Sequence, residues 1–499
     1  MTGRGWGAAL LVGLLGCGGG RVWRMVRVAP GEAAGGQWVR VRGRVPASMP
    51  RRGTAVVQVY SPAEMAAGMP RDFARWTDNL GRVQAVREVP VVDGTIAVEV
   101  WVASRPAVAE LVFDTAGLGL EALFGAQPGV ARARVQIAAA GAVPTVTLEG
   151  RPYAETEDCT GEHDELLVLD APETRRRDDP GTRRVCVHLP PSYAHEPARR
   201  YPVVLAFPGF SGWHARGDAW RERGLFDRIG VETGVEALVV GVGTRTAEGT
   251  SYLETSERFG DWDRYVSDRL LRALDARYRT VARRATLGHS TGGWNALALA
   301  TRHPDLFVAA GSSSPDALDL DVWMLDGGQV RSGWLAWIRA EAALGGRGQF
   351  VSYGAAWSPD PAEPLGFRWP IDLASGALRP DVFTRWRRRS PAADLRTEAG
   401  LGRARSLSGA LVVTAGRRDE FGLFAPTQAY VEQLRAAGVA VTWLPTELGH
   451  FGAGGPRFGP LVRFLLERLR EVPAIVRGAV GHRPENRLSS PPIQFCAER

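Results

Sequence analysis

Gly288-His289-Ser290-Thr291-Gly292-Gly293 stands between a short apolar run at 285–287 and a helix-length segment at 294–302. A serine carried on a sharp strand-to-helix turn needs neighbours without side chains, because the turn strains the serine backbone and packs the helix tightly against its strand. In a chain with 60 glycines, a bare G-x-S-x-G arises often by chance. The strand pattern before it and the helix pattern after it raise the match to an expectation: Ser290 is a nucleophile, and Gly288, His289 and Gly292 form the elbow around it.

Outward from the elbow, continuous apolar runs alternate with helix-length segments, at 203–207, 237–242, 307–311, 411–415 and 439–444. Such runs are strands buried on both faces, which predicts an α/β domain built on a largely parallel sheet. Helices fit between them. Leu270, Leu271, Leu274 and Tyr278 share one helical face, residues 425–437 start with Pro426 near the first turn and stop at Gly438, and residues 460–471 form a closing amphipathic helix.

A nucleophilic serine requires a histidine to take its proton and a carboxylate to orient that histidine, both after the serine in a fold of this kind. Before the tail, His303 and His450 follow. His303 ends the nucleophile's own helix. His450 lies in Thr446-Glu447-Leu448-Gly449-His450, just after the run at 439–444, where parallel sheets assemble their sites. Asp419 and Glu420 follow the run at 411–415. Asp419 is the expected acid for its shorter side chain, and Glu420 is expected to face solvent or pair with Arg417 or Arg418. Two backbone N–H groups must stabilise the developing oxyanion. Thr291, directly after the nucleophile, supplies one. Phe210, in Pro208-Gly209-Phe210-Ser211-Gly212-Trp213, supplies the other, since Pro208 has no N–H and Gly209 lets the chain pass close to the site.

Several further stretches carry a resemblance: Val187-His188-Leu189-Pro190-Pro191-Ser192-Tyr193 ahead of Arg200-Tyr201-Pro202-Val203-Val204, then GHSTGG, then His303-Pro304-Asp305-Leu306-Phe307, Gly416 to Asp419, and Leu448-Gly449-His450. From about Thr182 to Leu469 the chain resembles the putative-esterase family of α/β-hydrolases, which includes esterase D-like (S-formylglutathione hydrolase), enterochelin esterase-like and feruloyl esterase-like enzymes. The resemblance implies an α/β-hydrolase fold and a serine carboxylic-ester hydrolase for small-molecule esters, working through an acyl-enzyme with Ser290, His450 and Asp419 and needing no metal or organic cofactor. The family's Asp stands in a G-x-x-D pattern, which Gly416 to Asp419 matches. One departure is visible: the family's His-Gly at the oxyanion loop is Pro208-Gly209 here. Two rival readings share the fold, acyl transfer to a sugar or lipid acceptor and a catalytically inert surface-binding lipoprotein.

The chain of 499 residues has room for two or three domains. Ahead of the hydrolase segment, period-two alternation (Val39 and Val41; Ile96, Val98, Val100 and Val102) and short β-rich runs predict a small antiparallel β-sandwich over residues 22–150. Residues 151–180, with Arg175-Arg176-Arg177-Asp178-Asp179, read as a charged linker. Residues 181–475 form the hydrolase domain and 476–499 a loose tail. An insertion at 314–408 carries six tryptophans (Trp323, Trp334, Trp337, Trp357, Trp369, Trp386), read either as a wall over the serine or as a small core of its own.

Every basic residue is arginine, 61 in all, against 54 acids. Lacking lysine, the chain has no P-loop phosphate lysine, no Schiff-base amine and no kinase strand lysine. The arginines are not interleaved with stacking aromatics, so no nucleic-acid partner is expected. Four cysteines without C-x-x-C, and no H-E-x-x-H among eight histidines, argue against zinc or iron–sulfur sites. Residues 1–17 resemble a bacterial lipoprotein signal, an apolar run ending in Leu14-Leu15-Gly16-Cys17, too short to span a bilayer. The expectation is an exported bacterial protein held at the cell envelope by a lipid on Cys17. Export would permit a bridge between Cys159 and Cys186, with Cys496 left free.

Overall fold

The computed structural model describes residues 37–60, 85–102, 106–114, 130–137, 145–150, 159, 161–176, 179–210, 212, 218–344, 348–451 and 454–470. The leader with Cys17, the tail with Cys496, and Ser211 and Trp213 lie outside them. Among the described residues no helix is long and apolar enough to cross a membrane.

Strands β1 (Gln37–Arg44), β2 (Gly53–Tyr60), β3 (Ala85–Val92), β4 (Thr95–Val102), β5 (Ala107–Asp114) and β6 (Val130–Ile137) are antiparallel neighbours in the order β1-β4-β3-β2-β5-β6. The alternation read in the sequence sets the register: Val41 faces Val98 and Val39 faces Val100, and all four are buried. The all-β domain thus stands ahead of the hydrolase, with one difference from two facing sheets. Val146–Thr147 pairs with β1 through Gly43 and Arg44, while Glu149–Gly150 pairs with β6 through Ala131 and Arg132. One short segment therefore touches both ends of a single sheet, which closes around a core of Val41, Val57, Val100, Leu111, Phe113 and Leu148. Gly150 makes this possible, because a Cβ there would lie 2.5 Å from the Cα of Ala131.

The second sheet begins earlier than the charged composition of 151–180 suggests. Strand β7 (Asp164–Asp170) is its edge, antiparallel to β8 (Thr182–His188), so the expected linker is corrected: part of it belongs to the hydrolase sheet. Its apolar run, Leu166-Leu167-Val168-Leu169, is short and set in a charged, turn-rich segment, and Leu166 and Val168 are 46% and 52% exposed, as an edge strand allows. The sheet continues with β9 (Tyr201–Phe207), β10 (Leu238–Val242), β11 (Thr280–His289), β12 (Ala309–Ser313), β13 (Leu411–Thr414) and β14 (Val441–Trp443), in the order β14-β13-β12-β11-β9-β10-β8-β7. From β10 to β14 every neighbouring pair is parallel. The residues of β9 and the 285–289 half of β11 are buried throughout, as continuous apolar runs require when helices cover both faces. Of those helices, α1 (Arg223–Thr233) packs against the last helix, Gly454–Leu469, which starts six residues before the predicted 460 and contains Pro460.

The insertion after β12 is helical. Its main helices are α2 (Ser332–Leu344), α3 (Gln349–Trp357) and α4 (Pro380–Arg389). Its six tryptophans all join the main core instead of forming a small core of their own, and three of them also serve as wall. Those three, Trp323, Trp334 and Trp337, border a cavity at Ser290. On α4, Arg387 pairs with Asp321 at 2.8 Å and Arg389 with Glu254 at 3.0 Å, while Arg385 and Arg388 are exposed.

Candidate active site

β11 ends at His289, and the helix Thr291–Arg302 starts two residues later, so Ser290 alone makes the turn. Its φ of 58° and ψ of −129° are strained for a residue with a side chain. The backbone holds it there from both directions: Ser290 N–H donates to Ser313 O at 2.9 Å, and Ser290 O accepts from the N–H groups of Trp294 and Asp316, each at 3.1 Å. The flanking glycines are required by contact. A Cβ on Gly288 would lie 2.1 Å from Gly292 O, and one on Gly292 would lie 2.2 Å from Phe207 O. His289 is buried, with Nδ1 3.1 Å from Ser313 Oγ. Burial, and then the neighbouring charge on His450, push its pKa well below the usual imidazole value.

The loop after β9 runs past the serine. A Cβ on Gly209 would lie 3.6 Å from the Ser290 Cβ, and Phe210 borders the cavity together with Ser290. Thr291 is the first residue of its helix, where the N–H has no partner within the helix. Its hydroxyl donates to Asp316 Oδ2 at 2.6 Å.

Asp419 lies after β13 and His450 after β14, and the structure joins them: Asp419 Oδ2 is 2.7 Å from His450 Nδ1. Asp419 Oδ1 accepts the N–H groups of Phe421 (3.0 Å) and Leu423 (3.3 Å), which fixes the carboxylate's direction. A carboxylate can only accept, so Nδ1 carries the proton and Nε2 presents its lone pair. Burial lowers the pKa of His450, but Asp419 and then Asp316 outweigh it, and the pKa stands above the ordinary value. His450 packs against the elbow through His289, ring centroids 4.7 Å apart, and against Phe421 at 4.7 Å. Among the described residues Ser290 Oγ makes no hydrogen bond. Glu420, expected at the surface, instead accepts the backbone N–H of His450, and Arg417 pairs with Glu447 at 3.2 Å. His303 caps the end of the nucleophile's helix and pairs with Asp263 at 2.8 Å.

Further residues at the site carried no sequence signal. Buried Arg457 donates to Ser314 Oγ at 3.1 Å and to Gly449 O, clamping the His450 loop to the turn after β12. Asp316 accepts from Tyr252 Oη at 2.9 Å and from Gln349 Nε2 at 2.8 Å. Asp316, Gln349, Phe350 and Leu423 border the cavity of about 30 Å³ that also meets Ser290. Glu341, buried on α2, accepts from Trp337 Nε1 and from Val351 N–H (2.9 Å), so it ties two walls of that cavity together. Burial pushes its pKa up to about 7.

The nucleophile turn lies on a central strand, the acid and histidine lie on loops after the two strands at one edge, and helices cover both faces. This arrangement defines an α/β-hydrolase. Residues 180–354 match the family model described as putative esterase. No curated protein matches the sequence. Among solved structures, a ferulic acid esterase is 17% identical, with 62% of this chain and 99% of that one covered at a TM-score of 0.41. An S-formylglutathione hydrolase from Agrobacterium tumefaciens is 15% identical over 62% and 95%, at 0.40. A ferulic acid esterase from Anaeromyces mucronatus is 12% identical over 64% and 97%, at 0.36.

Proposed function

We propose that the protein hydrolyses carboxylic esters through a Ser290–His450–Asp419 triad and an acyl-enzyme. The observation that carries this is the Asp419–His450 pair packed against the strained Ser290 elbow at the mouth of one cavity. His450 Nε2 takes the Ser290 proton as Oγ attacks the ester carbonyl. The N–H groups of Phe210 and Thr291 stabilise the oxyanion. The imidazolium then protonates the leaving alcohol, and water repeats the cycle to release the acid. No step calls on a metal or an organic cofactor. The substrate is a small-molecule ester, and neither nucleic acid nor a membrane surface takes part in turnover.

The protein is exported and anchored at a bacterial cell envelope through lipid on Cys17. The Cys159–Cys186 disulfide supports export, since such bonds persist in oxidising compartments. A fluorophosphonate probe tests the catalytic reading. It should label the wild type at Ser290 and leave Ser290→Ala unlabelled, whereas an inert binding protein would label in neither form. Product analysis with and without added alcohol separates hydrolysis from acyl transfer.

A further inference from the structure

Asp316 is the acidic side chain in the lining of a largely aromatic cavity. Trp323, Trp334, Trp337, Phe350 and Phe421 form its walls, and Ser290 opens into it. The Asp316 side chain is buried, yet its three hydrogen bonds, from Thr291, Tyr252 and Gln349, all fall on Oδ2. Among the described residues none falls on Oδ1, which leaves that oxygen for a ligand. A carboxylate oxygen that no protein group satisfies, on a residue lining the cavity, is open to a donor on a ligand.

Backbone strain converges on the same residue. Five described non-glycine residues have positive φ, and one of them, Asp93, belongs to a hairpin turn. The other four surround Asp316: the Ser290 carbonyl accepts its N–H, Ser314 stands two residues before it, Tyr252 donates to its carboxylate, and Leu253 follows Tyr252. Strain of this kind gathers where a site must be held in one geometry.

We infer that Asp316 determines specificity, seating on Oδ1 the ammonium group of a short amino-acyl ester whose carbonyl lies at Ser290. The inference rests on the ester-hydrolase reading above and names its substrate class. An ammonium ion matches both features of the cavity, since a carboxylate binds it directly and indole faces attract it through their π electrons. The cavity is small, about 30 Å³, so the shortest amino-acyl group is the one to test first. Burial holds the Asp316 pKa above the ordinary carboxylate value, against the opposing pull of its three donors and of the charge on His450.

The test uses three ethyl esters of equal acyl size, glycinate, glycolate and propionate, with the full-length protein at neutral pH and ethanol release as readout. Each kcat/KM is divided by the ester's own hydroxide-catalysed rate, which removes intrinsic reactivity. Glycinate should exceed propionate by roughly tenfold or more, the scale of a hydrogen bond to a charged group, with glycolate between them. Asp316→Asn should compress that ratio to within about threefold. Propionate equal to glycinate, glycolate above glycinate, or a ratio that survives in Asp316→Asn would each overturn the inference, and the wild-type order decides alone if that variant does not fold. Fluorophosphonate labelling of Ser290 without a glycinate preference defeats this inference only. Absence of both labelling and turnover defeats the esterase reading itself.

Discussion

Glu420 accepts the backbone N–H of His450, while its neighbour Asp419 takes the ring of the same residue. Adjacent carboxylates thus hold one histidine by two handles, which separates their roles. Asp419→Asn keeps the shape but favours the wrong tautomer, and kcat should fall by about 10⁴. Glu420→Gln retains an acceptor and should cost little. Glu420→Ala releases the loop and should cost roughly tenfold. Steady-state kinetics on a short acyl ester distinguishes the three variants.

In the proposed triad His450 must be neutral to accept the Ser290 proton, and its pKa stands above the ordinary 6.5 because Asp419 and Asp316 outweigh burial. Activity should therefore fall with decreasing pH, along a limb centred above 6.5. In Asp419→Asn the residual activity should show that limb at lower pH. A kcat/KM profile from pH 5 to 9, on the order of one point per half unit, reads both.

Glu341 binds its proton more tightly in the folded state, with a pKa of about 7 against an ordinary 4.5. Its effect on stability is sign-definite: the native state holds the extra proton between those values, so stability declines as pH rises through that window. Glu341→Gln should remove this part of the decline. Thermal midpoints of wild type and variant should diverge between pH 4.5 and 7 in favour of the variant, then run parallel.

Gly292 has the backbone oxygens of Phe207 and Pro208 where a Cβ would go, at 2.2 and 2.6 Å. Neither can withdraw without displacing β9 or the loop that follows it. Gly292→Ala should cost roughly 3 kcal/mol, the upper end of ordinary overpacking, and denaturant unfolding measures it.

Cys159 and Cys186 close a loop with a sequence separation of 27 residues, joining the chain ahead of the edge strand to β8. Replacing both by alanine should cost roughly 3 kcal/mol. Thiol titration of the unfolded wild type should show two additional groups after reduction.

The centre of the hydrolase sheet was legible because its strands are buried on both faces, which writes each as an apolar run. The edge strand Asp164–Asp170 was not, since its four-residue apolar run, Leu166 to Leu169, lies between charged residues in a turn-rich segment that reads as loop. Ser290, Asp419 and His450 were legible for a related reason, as loops after parallel strands are where side chains converge. Asp316 also follows a strand, but its partners Tyr252 and Gln349 lie 64 and 33 residues away in segments without periodic signal. Glu420 was misread because its bond is to a backbone N–H, which no side-chain pattern reports.

The closing segment at 146–150 also governs where the chain can be cut. It holds each end of the all-β sheet by two residue pairs, and it occupies hydrogen-bonding groups on β1 and β6 that would otherwise form open edges. A fragment ending before Val146 would present two unpaired strand edges, ready templates for pairing with other copies. A fragment extended through Gly150 keeps both covered. The all-β domain should accordingly stay monodisperse in the longer form and aggregate in the shorter, although the two differ by a single five-residue stave.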